Sequence, residues 1–154
     1  MRALEPWVVA PMQTFITESS ARLILLMTTS GQVVAQHGFS RSLDVMTASA
    51  LGAAIVASTE ELARIMGASR FGAVVHGGSR QSCMLAAFGT PRGRWIGLVV
   101  FGSETSVGIV QLFFDKMVEE LVGAAPKEQP LPAPVLAENF EHDLNASLKE
   151  LFGR

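Results

Sequence analysis

Apolar and polar positions along this chain alternate between a helical and an extended period. Helical spacing covers residues 12–20, reaching back as far as Pro6, with Pro11 placed to initiate or kink the helix. Residues 22–28 contain the unbroken run LILLM, which suits a strand covered on both faces. Thr29, Ser30, Gly31 and Gln32 read as a turn, and residues 33–37 return as a more polar second strand. A long helix is predicted over residues 43–66, with Ser42 or Asp44 to cap its first free amides and Gly67 as its stop. Three short strands follow, over 72–77, 81–88 and 95–101, separated by the turns Gly77-Gly78-Ser79-Arg80 and Thr90-Pro91-Arg92-Gly93. The last strand, WIGLVVF, is apolar throughout and is therefore placed in the middle of the sheet. A helix over 106–122, stopped by Gly123, completes the order α-β-β-α-β-β-β-α. The fold class this predicts is α/β: a five-stranded, mostly antiparallel sheet with helices on both faces, because two fully apolar strands need cover above and below.

The pattern breaks at Gly123. The stretch GAAPKEQPLPAP holds four of the seven prolines and has no apolar periodicity. Residues 1–122 are thus expected to form one domain, 123–134 a semi-rigid extended spacer, and 135–154 a separate element. In that last element Leu136, Phe140, Leu144, Leu148 and Leu151 recur at i+4 and i+3 with Phe152 beside them, which predicts an amphipathic helix. Such a short helix is marginal alone in water, so its stripe needs a surface to dock on. Its own domain, a protein partner and a membrane surface are three candidates, and the acidic polar face argues against the third.

The long central helix carries more apolar surface than one core contact requires. On a helical wheel Leu51, Ile55, Leu62, Ile65 and Met66 form one stripe, taken here as the face toward the sheet. Ala50, Ala53, Ala54, Val56 and Ala57 cover much of the rest. Exposed alanine is common in good helices, but small residues on a second face also let another backbone approach closely. The second reading predicts a homodimer, with Ala50, Ala53, Ala54, Ala57, Ser58 and Glu61 facing the second copy or another partner.

Composition narrows the function classes. The chain is 49% hydrophobic and only 17% charged, a balance that excludes disorder for most of its length. With a net charge of −2 and single, scattered Lys and Arg, it has no basic stripe for nucleic acid. No uncharged apolar run is long enough to span a bilayer. The N-terminal stretch lacks a basic n-region, and the lone Cys83 forbids an intrachain disulfide, so a cytoplasmic location is expected. There is no GxxxxGK[ST] motif to cradle nucleotide phosphates. His76 and Cys83 flank one hairpin and are the nearest approach to a nucleophilic pair, but His37 and His142 lie in other elements and no ligand cluster for a metal forms. No catalytic residue, cofactor or metal is therefore expected. Ser40-Arg41-Ser42 and Arg92-Gly93-Arg94 carry the local basic density and read as solvated loops.

The succession TSGQVVA, the helix LDVMTASALGAAIVASTEELARIMG, the strands SCMLAAF and WIGLVVF and the closing helix resemble the Roadblock family over residues 15–122. The run Leu62-Ala63-Arg64-Ile65-Met66-Gly67 and the C-terminal extension are similar to its bacterial MglB-type branch, the polarity and gliding regulators. The resemblance implies a homodimer whose sheets join edge to edge with the central helices side by side. It also implies a small Ras-like GTPase of the MglA type as partner, whose GTP hydrolysis the dimer accelerates without an arginine finger of its own. Some Roadblock proteins only scaffold, so the resemblance leaves that alternative open.

Overall fold

The computed structural model describes residues 2–3, 5–39, 43–69, 71–126 and 144–151. A two-residue strand β1 (Arg2–Ala3) and a single 3-10 turn (Pro6–Val8) precede α1 (Val9–Ser19). Then come β2 (Leu23–Thr28), β3 (Val33–Gly38), α2 (Val45–Ile65), β4 (Val74–Gly77), β5 (Ser82–Thr90), β6 (Gly93–Phe101) and α3 (Val107–Ala124). Residues 144–151 form a further helix, α4. All five expected strands are present and every pairing is antiparallel, in the order β1-β3-β2-β6-β5-β4. The two apolar strands β2 and β6 pair at the centre through six registered residue pairs, from Leu23↔Val100 to Thr28↔Trp95. The sequence did not suggest β1, which extends the sheet at Gln36 and Ala35 of β3.

Strand alternation sends side chains to two separate cores. On one face Ile24, Leu26, Met84, Phe88, Trp95, Val99 and Phe101 pack under α1 and α3, which contribute Met12, Phe15, Val110, Phe114, Met117 and Leu121. On the other face Leu23, Leu25, Met27, Leu85, Ile96, Leu98 and Val100 pack under α2 alone. The aromatic cluster lies in the first core: Trp7 stacks on Trp95 at 5.4 Å, and Phe88 meets both Trp95 and Phe114 edge-on.

The ends of α2 form as its sequence implies. Of the two candidate caps, Asp44 takes the position: its carboxylate accepts hydrogen bonds from the amides of Met46 and Thr47 and from the Thr47 hydroxyl. These bonds hold the Asp44 pKa below the usual carboxylate value. At the other end Gly67 adopts φ 71°, its amide donates to the Arg64 carbonyl, and the Ala68 amide donates to the Ala63 carbonyl. This Schellman pattern needs a residue that tolerates the left-handed region.

Two expectations are corrected. First, α3 is not stopped by Gly123; it continues to Ala124, and Ala125 turns extended (ψ 132°) because it precedes Pro126. Second, α2 is turned the other way round. Leu51, Leu62, Ile65 and Met66 face solvent, and Ile55 is only half-buried; Ser49, Gly52, Ala53, Val56 and Ala63 face the sheet. Ala53, expected at a partner interface, is covered by the chain's own strands. The reason lies in the volume the strands supply. Leu25, Met27, Leu85 and Ile96 fill the interlayer space, so the helix must approach on small residues. At Gly52 even a Cβ would lie 3.2 Å from the Leu85 methyl and 3.3 Å from the Met27 sulfur.

Candidate functional site

The inverted helix leaves an apolar ridge in water. Met46, Leu51, Leu62, Ile65 and Met66 are 79%, 59%, 52%, 70% and 65% exposed. Ala50, Ala54, Ala57, Ser58 and Glu61 are exposed along the same helix, so five of the six residues expected at an interface are accessible and Ala53 is not. Several large side chains exposed together along one helix are an unusual surface for a protein that works alone.

The ridge is held in place by its polar neighbours. Arg94 of β6 pairs with Glu60 at 2.5 Å, tying the C-terminal half of α2 to the sheet, so Arg94 is not the solvated loop residue it was expected to be. Arg64 donates to both carboxylate oxygens of Glu61 one turn away, which lowers the Glu61 pKa. The basic side chain nearest the ridge is thus already engaged within its own helix.

Val56, Thr59 and Glu60 of α2, residues 71–74 at the approach to edge strand β4, residues 84–88 of β5 and Gln111, Asp115 and Val118 of α3 line a cavity of about 250 Å³. Of its ionisable lining groups, Glu60 and Arg94 pair with each other, and Asp115 adds one carboxylate. Strand β4 hydrogen-bonds to β5 on one side only, and among the described residues its other edge is bare. Val75 and Phe71 are exposed there at 44% and 39%. An unpaired edge beside an apolar ridge is a template for another strand and helix.

The other candidates do not assemble into chemistry. His76 and Cys83 are direct cross-strand partners, as their flanking positions suggested. Burial pushes the Cys83 thiol up from its ordinary value, against a smaller opposing effect from a backbone hydrogen bond with His76. A raised pKa means less thiolate at neutral pH, the reverse of an activated nucleophile. Cys83 should therefore react with a thiol reagent more slowly at pH 7–8 than in the unfolded chain, because less of it is thiolate; faster labelling of the folded form would reverse this reading. Among the described residues no group of three His, Cys, Asp or Glu side chains converges on a metal-sized site. No described helix is long and apolar enough to cross a membrane.

In α4, Leu144, Leu148 and Leu151 are exposed at 48%, 42% and 78%, as are all eight described residues of the helix. Leu136, Phe140 and Phe152, like Ser40-Arg41-Ser42, lie outside the described residues. Sequence reasoning missed Met46, Leu51, Leu62, Ile65 and Met66 as surface. The available signal was the stripe Ser49, Gly52, Ala53, Val56 and Ala63, too small to fill a core unless the facing strands are bulky.

No protein-family model matches the sequence, and no curated protein is significantly similar to it. Solved structures are similar. MglB of Myxococcus xanthus is 24% identical with a TM-score of 0.70, over 78% of this chain and 95% of that one. The gliding protein MglB of Thermus thermophilus is 26% identical with a TM-score of 0.68, over 77% and 88%. A Roadblock/LC7 domain of Streptomyces avermitilis shares the fold at 14% identity and a TM-score of 0.61, over 71% and 90%.

Proposed function

We propose that this chain, which is of the Roadblock type and similar to MglB, works as a homodimer that binds a small Ras-like GTPase of the MglA type and stimulates its GTP hydrolysis. The observation that carries this reading is the exposed apolar ridge of α2 in a domain whose β4 edge is bare among the described residues. Edge-to-edge joining of two sheets at β4 would satisfy the free backbone groups and bring the two α2 helices together. The C-terminal end of the ridge, with Leu62, Ile65 and Met66, would then face the second copy. The other end, with Met46, Leu51 and the exposed alanines at 50 and 54, remains for the GTPase.

Stimulation in this reading needs no catalytic group from the regulator. A partner that binds the hydrolysis-competent arrangement of the GTPase better than its resting one shifts the population toward it. Each tenfold gain in turnover requires about 1.4 kcal/mol of such preference, an amount a few buried apolar side chains can supply. Arg64 and Arg94, engaged with Glu61 and Glu60, are not free to serve as an arginine finger.

The test is GTP turnover by the cognate GTPase with and without this protein, together with a direct binding measurement. A rise of about tenfold or more is expected, on a scale where efficient activation reaches roughly 10³–10⁵. Tight binding with unchanged turnover would establish the alternative, a scaffold that dimerises and tethers its partners. No binding at all would refute both.

A further inference from the structure

Among the described residues, a concavity lies at the N-terminal end of α2. It has a volume of about 480 Å³ and runs between the first turns of α2 (Val45, Met46 and Ser49) and the turn and outer edge of β3 (Gly31, Val33 and Val34). It lies beside the stretch of β3 that β1 leaves uncovered, since β1 pairs with β3 only at Ala35 and Gln36. Apart from Gln32, Gln36 and Ser49 its lining is apolar, and among the described residues no charged side chain lines it. Met46 at its rim is 79% exposed.

The same chain carries a segment of matching chemistry. In α4 the side chains of Leu144, Leu148 and Leu151 fall at i, i+4 and i+7, one stripe of about 10 Å. All three are exposed, and an amphipathic helix gains its stability chiefly from burying such a stripe. We infer that α4 docks with this stripe in the groove between β3 and the start of α2 of its own chain. A helical stripe of branched side chains inserts into a concavity, whereas the α2 ridge is convex and offers it no pocket. Among the described residues no charged side chain lines the groove, so none of them is desolvated as an ion when the leucines enter, while Lys149 and Glu150 remain at the rim in water.

Reach permits this. Seventeen residues, 127–143, separate the described end of the domain from α4, and they can extend by at most roughly 55–60 Å. A domain of this size has a radius of gyration of about 14 Å, so every point of its surface lies within that span. Tethering also raises the effective concentration of α4 near its own groove to the millimolar range. A docked α4 covers Met46, so a partner approaching that end of α2 has to displace it, and the tail acts as a removable cover.

The inference is tested on the full chain alone, without any GTPase, so its outcome is independent of the proposed function. A nitroxide is attached at Asn145→Cys in a Cys83→Ala background, and the methyl resonances of Val33, Val34, Val45 and Met46 are recorded. These four are expected to lose most of their intensity, and either Leu148→Asp or Met46→Lys is expected to restore it. Leu148 and Met46 are both exposed, so neither change threatens the fold. The inference is overturned if the broadening falls on Leu62 and Ile65 instead, or on no methyl group. It is equally overturned if broadening appears only in a mixture where the nitroxide and the isotope label sit on different chains.

Discussion

Leu62→Asp and Ile65→Asp are each expected to leave the fold intact and to convert a dimer into a species sedimenting at the 16.4 kDa of the single chain. Both side chains are more than half exposed, at 52% and 70%, so replacing them removes little from either core. Burial of such a side chain against a second copy contributes up to about 1.5–3 kcal/mol. A carboxylate in its place adds a desolvation cost at the same point. Together these amount to a loss of about 100-fold or more in dimer affinity, which is about 2.7 kcal/mol. The melting temperature of the separated chain should change far less than its association does. Ala54→Arg, near the other end of the ridge, should by contrast spare the dimer and weaken the GTPase complex. If Leu62→Asp and Ile65→Asp both sediment as dimers, the assignment of that end of α2 to the second copy is wrong.

Phe114→Ala should have the largest effect on stability. The ring is 3% exposed and meets Phe88 edge-on at 5.7 Å and Phe15 at 6.3 Å, so it joins α3 to both α1 and β5. It also lies over Gly97 of β6, where a side chain would collide with it. Truncation leaves a cavity in a close-packed layer, and such changes cost about 3–5 kcal/mol. In a domain whose total stability is of order 5–15 kcal/mol, the melting temperature should fall by roughly 10–20 °C. Phe113→Ala, one position along and only half-buried, should cost distinctly less. Equal losses at the two positions would mean that the layer of α1 and α3 is not packed as described.

Much of this architecture is legible along the chain because the signals are local. The run LILLM and the strand WIGLVVF announce two strands covered on both sides, and they are the central pair. Asp44 and Gly67 bracket α2 because a cap acts through its own side chain or its own φ. The cross-strand meeting of His76 and Cys83 follows from the length of one hairpin.

Sequence alone also determined that α2 has apolar character on more than one side. It could not determine which side turns inward. A wheel ranks side chains by hydrophobicity, and by that ranking Leu51, Leu62, Ile65 and Met66 belong in the core. The space under the helix is instead filled by Leu25 and Met27 of β2, Leu85 of β5 and Ile96 of β6, residues that no local pattern places together. Only the assembled sheet decides that the contact must be made by Gly52, Ala53 and Val56, since close packing rewards the fit of combined volumes more than the size of either partner. The leucines displaced from that contact became the surface. The candidate site was therefore written in the sequence as composition, and tertiary structure alone set the direction in which it faces.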